Sequence, residues 1–170
     1  MRQQIVISGL GGQGVLFLTR VIAESALRRG AAVLTAETHG MAQRGGSVLS
    51  TVKIGTFRSP LIARGTADLG LFLAAENLPV HGPLLREGAA LVVAAAEPGA
   101  YRAVDAAAVA RELGAPVLAN LVVLGAAVAD DLLCVGRDEV EETIRVLSPP
   151  KLVEGNLTAF RRGLALAGSR

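Results

Sequence analysis

The chain has 170 residues, of which 51% are hydrophobic and 19% are charged, with a formal net charge of +2. This length fits one compact domain, and the apolar composition excludes a disordered chain and indicates that part of the surface meets a partner. The arginines are scattered and tryptophan is absent, so the sequence pI near 9.2 does not indicate nucleic-acid binding.

The cysteine content and the hydropathy exclude further kinds of protein. Cys134 is the only cysteine, so this chain alone has no disulfide and no ligand set for an iron–sulfur cluster. The uncharged run at residues 113–129, which no other run exceeds, is shorter than the roughly 20 residues a spanning helix needs. The first residues do not resemble a signal peptide. We therefore expect a cytoplasmic protein with no membrane partner, no nucleic-acid partner and no metal site.

The first third of the chain predicts strand, helix and two further strands. Residues 4–8 form a continuous β-branched run, typical of a strand covered on both faces. Residues 12–29 repeat apolar side chains with a helical period, and Gly30 supplies the stop. Residues 32–36 are predicted to be a second buried strand that completes a βαβ unit. Residues 47–54 alternate in polarity, which predicts a half-exposed strand.

The rest of the chain continues the alternation of strands and helices. A short hairpin return is predicted at 57–60, and further strands at 68–73, 89–95 and 116–119. Helices are predicted at 84–86, 106–113, 121–129, 138–147 and 152–167. Asp105 is the expected N-cap of one helix, and Asp138 opens a capping-box pattern for another. The alternation predicts a single three-layer α/β/α, Rossmann-like domain over residues 1–170 with a mostly parallel sheet.

A glycine-rich turn joins the first strand to the first helix. It reads Gly9-Leu10-Gly11-Gly12-Gln13-Gly14. Glycines at this spacing let the backbone approach a pyrophosphate, which the helix N-terminus also favours. Glu37 ends the second strand, where a ribose hydroxyl would be held. The pattern therefore predicts cofactor binding at Gly9, Gly11, Gly12, Gln13, Gly14 and Glu37, although the glycines would also serve a tight turn alone.

A polar loop follows the second strand and reads Glu-Thr-His-Gly-Met-Ala-Gln-Arg-Gly-Gly-Ser over residues 37–47. His39 is a candidate proton carrier, or a loop residue bonded to a carbonyl. Arg44 is a candidate for a forked bond to phosphate or carboxylate, or for pairing with Glu37. These two are the catalytic candidates. Binding candidates in the loop are Gln43, Arg44, Gly45 and Gly46, whereas His81 is interpreted as a turn residue.

The two loops together resemble the gamma subunit of the 2-oxoacid:ferredoxin oxidoreductases. The His-Gly-Met-Ala-Gln-Arg-Gly-Gly form is most similar to the small (beta) subunit of indolepyruvate ferredoxin oxidoreductase. The resemblance continues through Gly65 to Asp68, Ala110 to Gly114, Asn120 to Ala126 and the closing helix from Asn156. It covers nearly the whole chain.

The resemblance implies oxidative decarboxylation of a 2-oxoacid to an acyl-CoA, with the electrons passed to ferredoxin. The substrate it implies is indolepyruvate or another aryl pyruvate. The family uses thiamine diphosphate, Mg, iron–sulfur clusters and CoA. This chain has neither a Gly-Asp-Gly thiamine motif nor cluster cysteines. We therefore expect these groups on a larger partner subunit, an inactive isolated chain, and the Gly45-Gly46 segment facing the active site or the CoA path.

Two alternatives remain at this point. One is a stand-alone NAD-type nucleotide-binding protein or sensor that uses the Gly9–Gly14 turn. No substrate domain or Tyr-x-x-x-Lys pair accompanies the turn, which argues against an ordinary dehydrogenase. The other is a structural homodimer whose apolar surface only self-associates.

Overall fold

The computed structural model describes residues 1–39 and 45–166. The strands in these residues are β1 (Gln3–Leu10), β2 (Val33–His39), β3 (Ser47–Ile54), β4 (Ala67–Phe72), β5 (Leu85–Ala94) and β6 (Arg102–Val104). The helices are α1 (Val15–Arg28), α2 (Leu78–His81), α3 (Ala106–Glu112), α4 (Ala119–Ala129), α5 (Arg137–Leu147) and α6 (Val153–Leu164).

One mixed sheet runs through the molecule in the order β2-β3-β1-β4-β5-β6. The pairings β1–β4, β4–β5 and β5–β6 are parallel, whereas β3 is antiparallel to both β1 and β2. The predicted α/β class is confirmed. The predicted βαβ unit is interrupted, because β3 lies between its two strands.

The two faces of the sheet are covered unequally. Ile5 and Ile7 of β1 point to a large apolar core formed with α1, α3, α4, α5 and α6. Val6 points to the other face, where Phe72, Ile62 and Leu78 form a smaller core. That smaller core is bordered by Ile62 and by the short helical stretch 75–84.

The interposed β3 changes which strands are buried. Residues 50–54 of β3 are buried rather than half-exposed, because strands flank β3 on both sides. β2, predicted to be buried, is the edge strand, and Thr35 and Glu37 are exposed. The burial of β2 and β3 depends on which strands pair with them. The alternation of polar and apolar residues within one strand does not indicate that pairing.

Several local predictions were wrong for identifiable reasons. Residues 57–60 form a loop across the sheet rather than a hairpin. Residues 116–118 form a 3₁₀ turn that leads into α4 rather than a strand; proline is suited to the first turn of a helix. Residues 85–86 begin β5 instead of lying in a helix, and the short strand β6 was not predicted.

The two predicted caps differ in outcome. The Asp105 carboxylate accepts a hydrogen bond from the Ala108 N–H at 3.1 Å, as expected of the N-cap of α3. The predicted capping box at Asp138 was wrong. α5 begins one residue earlier, at Arg137, and its N-cap is Gly136, which has no side chain to cap with.

A buried carboxylate joins α5 to α6. Glu141 is 8% exposed, and its oxygens accept hydrogen bonds from Arg161 at 2.9 Å, Arg137 at 3.1 Å and Arg145 at 3.4 Å. The hydrogen bond from Arg161 is the main reason that the pKa of Glu141 lies below its ordinary value of 4.5. The ionised form is therefore favoured by the folded state.

We expect Glu141→Gln to lower the free energy of unfolding by about 1–3 kcal/mol at pH 7, because it removes a charged acceptor from a buried network. Glu142→Gln is the control: Glu142 is exposed and pairs with Arg145 alone at 3.3 Å, so its loss should cost less than about 1 kcal/mol. Since folding lowers the pKa of Glu141, its contribution is complete above about pH 4.5 and is lost as the pH falls through the folded-state value. Denaturation curves at pH 7 and pH 4 measure this, and equal losses for both variants would contradict it.

Candidate functional site

The glycine-rich turn is braced by its own glutamine. The Gln13 side-chain oxygen accepts the Leu10 N–H at 2.7 Å, and its side-chain nitrogen donates to the Leu73 carbonyl at 3.2 Å. A buried amide on α4, that of Asn120, donates to the Gly14 carbonyl at 3.2 Å. The turn is therefore tied to the ends of β1 and β4 and to α4.

The two predicted loops meet at one edge of the sheet. The Gly11 N–H donates to the Gly46 carbonyl at 2.9 Å, and Leu10 and Ser47 are register partners in the β1–β3 ladder. The contact arises because β3 runs antiparallel to β1 and so starts where β1 ends. Gly45 and Gly46 consequently lie beside the glycine-rich turn.

Two further candidates lie farther across the sheet. His39 pairs with Val48, which pairs with Gly9, so the three residues occupy one row across β2, β3 and β1. Glu37 occupies the row of Ser50 and Ile7. Two strand spacings amount to about 10 Å, so Glu37 is not adjacent to β1 as the dinucleotide pattern requires. Gln43 and Arg44 lie outside the described residues.

Two cavities flank the start of α1. One, of about 360 Å³, is lined by the turn and by Leu16 and Val48. The other, of about 140 Å³, is lined by Phe17, Val117, Leu152 and neighbours. Gly14 borders both, and no described residue lining either cavity is charged. Leu16, Val117 and Leu152 are each more than a third exposed, so the rim is apolar as well.

The carboxyl ends of the neighbouring parallel strands β1 and β4 form a topological switch point. The chain leaves β1 towards α1 on one face of the sheet and leaves β4 towards residues 75–84 on the other. Ligands of α/β proteins commonly bind at such a switch in direction. Ser8, Asn77 and His81 lie on the face that carries residues 75–84, joined by hydrogen bonds of 2.7 and 3.0 Å.

Sequence reasoning missed this polar group. One signal was present, since Ser8 is a hydroxyl at the end of the apolar run Ile5-Val6-Ile7 and so had to find a buried partner. The partners could not be found in the same way. Asn77 and His81 lie about 70 residues away in sequence, and the β1–β4 pairing brings them together.

Three backbone N–H groups of the glycine-rich turn are not free to bind a dinucleotide. The N–H groups of Leu10 and Gly11 are used by Gln13 and Gly46, and the Gln13 N–H returns to the Leu10 carbonyl at 3.1 Å. These amides therefore face protein acceptors rather than a pyrophosphate. Among the described residues, no cation lines the turn to neutralise one.

The described residues also do not fit a metal or cluster. No group of three His, Cys, Asp or Glu side chains comes together in residues 1–39 and 45–166, and the whole chain contains one cysteine. Within the same residues, no helix combines the length and the apolar character needed to cross a membrane.

Comparison with known proteins identifies the family. The family model for pyruvate ferredoxin/flavodoxin oxidoreductase matches residues 4–166. The chain is 34% identical to the indolepyruvate oxidoreductase subunit IorB of Archaeoglobus fulgidus, over 96% of this chain and 94% of that one.

Two solved structures share the fold. The gamma subunit of a keto/oxoacid ferredoxin oxidoreductase from Geobacter sulfurreducens superposes with a TM-score of 0.77 at 30% identity, over 96% of this chain and 97% of that one. A chain of the 2-oxoglutarate:ferredoxin oxidoreductase from Magnetococcus marinus gives a TM-score of 0.80 over 97% of this chain but 31% of its own length. Its identity is 23%, so it shows the fold alone. The chain belongs to the pyruvate ferredoxin/flavodoxin oxidoreductase family and is a subunit of a 2-oxoacid ferredoxin oxidoreductase.

Proposed function

We propose that this subunit acts with a larger partner chain in the oxidative decarboxylation of an aryl pyruvate, with indolepyruvate as the main substrate, to an acyl-CoA. Electrons pass to ferredoxin. Thiamine diphosphate, Mg and the iron–sulfur clusters are assigned to the partner, an assignment supported by the single cysteine of the sequence and by the lack of a metal-ligand group among the described residues. The identity to IorB of Archaeoglobus fulgidus supports the choice of oxoacid.

The contact between the two loops carries this proposal. The hydrogen bond from Gly11 to Gly46 joins segments 35 residues apart into one surface. The N–H groups of Leu10 and Gly11 are used within the protein, and the described residues that line the flanking cavities are uncharged and mostly apolar. Such a surface suits burial against another protein better than capture of a charged nucleotide.

The role that follows is structural support of a shared chamber. Residues 1–170 act as one gamma-type domain, and the Gly11–Gly46 junction closes part of the active site or the CoA path on the partner. His39, Gln43 and Arg44 belong to the segment next to this junction and remain candidates for contact with substrate or CoA. The isolated chain has no oxidoreductase activity of its own.

A substrate panel tests the assignment. The chain is coexpressed with a large subunit that carries the thiamine and cluster motifs, and the purified complex is assayed for CoA-dependent reduction of ferredoxin. We expect the highest kcat/KM with indolepyruvate, followed by phenylpyruvate, and low values with pyruvate and 2-oxoglutarate. A preference for 2-oxoglutarate would contradict the aryl specificity while leaving the family assignment intact.

The nucleotide alternative has its own test. The glycine spacing before α1 favours it, so calorimetry of the isolated chain with NAD, NADP, CoA and FAD is informative. We expect no NAD binding, because the turn lacks free donors at Leu10 and Gly11. Micromolar NAD binding without a partner would instead support a stand-alone nucleotide-binding protein.

A further inference from the structure

A directional chain of hydrogen bonds lies at the β1–β4 switch point, on the face of the sheet that carries residues 75–84. The Asn77 side-chain amide donates to the Gly9 carbonyl at 2.8 Å and to the Ser8 hydroxyl at 3.0 Å. The Ser8 hydroxyl lies 2.7 Å from Nδ1 of His81. Ser8 is fully buried and Asn77 is 5% exposed, so the two hydrogen bonds donated by Asn77 are shielded from water.

The hydrogen-bond donors of Asn77 and Ser8 determine which nitrogen of the His81 ring carries the proton. Asn77 uses both amide hydrogens, and Ser8 accepts one of them. Among the described residues, Nδ1 of His81 is the one acceptor in reach of the Ser8 hydroxyl proton, and we infer that this nitrogen is unprotonated. The neutral ring then carries its proton on Nε2.

Burial of His81 also favours the neutral ring. It lowers the pKa of His81 from its ordinary value of 6.5, which favours the neutral ring near pH 7. A second proton, on Nδ1, would leave the hydroxyl hydrogen of Ser8 without an acceptor in a dry site. The hydrogen bonds and the burial therefore select the same state.

The second ring nitrogen, Nε2, is available to a partner from outside the described residues. His81 is partly exposed, and no described residue hydrogen-bonds to Nε2. Because Asn77 also holds the Gly9 carbonyl, the imidazole is fixed relative to the glycine-rich turn. A single neutral N–H donor thus stands at the edge where α/β folds bind ligands.

We propose that His81 is a ligand-binding residue of this subunit, that Ser8 and Asn77 are its positioning residues, and that Nε2–H donates to an oxygen of an anionic small molecule in the complex. The inference rests on the proposed function. The acceptor is a carboxylate or phosphate oxygen, supplied by the 2-oxoacid or by CoA. A neutral donor in a fixed orientation selects an acceptor by position rather than by charge alone.

Nitrogen-15 NMR of the full-length chain tests the tautomer. We expect histidine cross-peaks of an Nε2-protonated, Nδ1-unprotonated ring for His81 at pH 7.5, assigned by comparison with His39→Gln. Ser8→Ala removes the hydroxyl partner and should shift the Nδ1 resonance toward that of a free imidazole. A ring protonated on Nδ1 in the wild type would overturn the proposal.

Kinetics of the assembled complex test the ligand. His81→Phe removes the donor and should raise the KM of one anionic substrate roughly tenfold, with a smaller change in kcat, whereas His81→Gln should recover part of the loss. A higher KM for the oxoacid identifies its carboxylate as the acceptor, and a higher KM for CoA identifies a phosphate. Desulfo-CoA competition and circular dichroism confirm that binding, not folding, has changed.

The two possible failures can be told apart. Unchanged KM values for both substrates in an active, fully assembled His81→Phe complex would overturn the ligand assignment alone. A wild-type complex that oxidises no 2-oxoacid would contradict the proposed function and, with it, the assignment of the acceptor.

Discussion

Replacing Gly163 by alanine is expected to lower the free energy of unfolding by about 3 kcal/mol or more. α6 crosses α4 at this residue, and a Cβ on Gly163 would overlap the Val122 carbonyl oxygen and lie 2.9 Å from the Cα of Gly125. Both neighbours are helix backbone, so relief requires the helices to separate rather than a side chain to rotate. For a chain of this size, the loss corresponds to a fall in melting temperature of roughly 6–12 °C.

Gly155 in the same helix is the matched control. A Cβ there meets nothing within 4 Å, so Gly155→Ala should stabilise the fold by about 0.5–1 kcal/mol by restricting the unfolded chain. Calorimetric melting of both variants and the wild type measures the two effects, which have opposite signs. Equal melting temperatures for Gly163→Ala and the wild type would contradict the close helix crossing.

Gly14→Ala is expected to destabilise the fold by about 2–4 kcal/mol and to weaken assembly with the partner roughly tenfold. Gly14 has a φ of +77°, and a Cβ there would overlap the side-chain nitrogen of Asn120. Asn120 has little freedom to move, because it is 3% exposed and its oxygen accepts the Leu121 N–H at 2.6 Å. The turn must shift instead, and it borders both apolar cavities.

Gly30→Ala is the control that separates the steric clash at Gly14 from the strain of a positive φ. Its φ is +76°, nearly that of Gly14, and a Cβ on it meets nothing within 4 Å. Gly30→Ala should therefore cost only the left-handed strain, about 1–2 kcal/mol, and leave assembly unchanged. Biolayer interferometry against immobilised partner gives the assembly constants. Indistinguishable constants for the two variants would show that the turn does not contribute to the interface.

Local features of the fold were predictable because their signals are local. The β-branched run before Gly9 and the helical period after Gly14 place β1, the turn and α1 close to their observed bounds. Asp105 capped α3 as expected because an N-cap depends on three neighbouring residues.

Features that depend on distant pairing were not predictable from the pattern. Nothing in residues 47–54 indicates that β3 inserts between β1 and β2, yet this insertion buries β3 and moves Glu37 away from β1. The interpretation of His81 as a turn residue was incomplete for the same reason. Its hydrogen bond with Ser8 depends on the pairing of β1 with β4.

The candidate site was predictable in part. Family resemblance selected both loops, and the structure brings Gly11 and Gly46 together through a backbone bond whose cause is the antiparallel β1–β3 ladder. The glycine spacing suggested a nucleotide at the turn, but the Gln13 side chain and the Gly46 carbonyl accept the N–H groups of Leu10 and Gly11. The roles of Gln43 and Arg44 lie outside the described residues and stay predictions.

A titration of this chain into a fixed amount of the separated large subunit tests the central claim most directly. With indolepyruvate, CoA and ferredoxin present, we predict negligible activity from either chain alone and a rate that rises linearly to a plateau at a stoichiometric ratio. The same plateau should require more protein with the Gly14→Ala variant. Oxoacid turnover by this chain alone, or a large subunit whose rate is the same with and without it, would contradict the account.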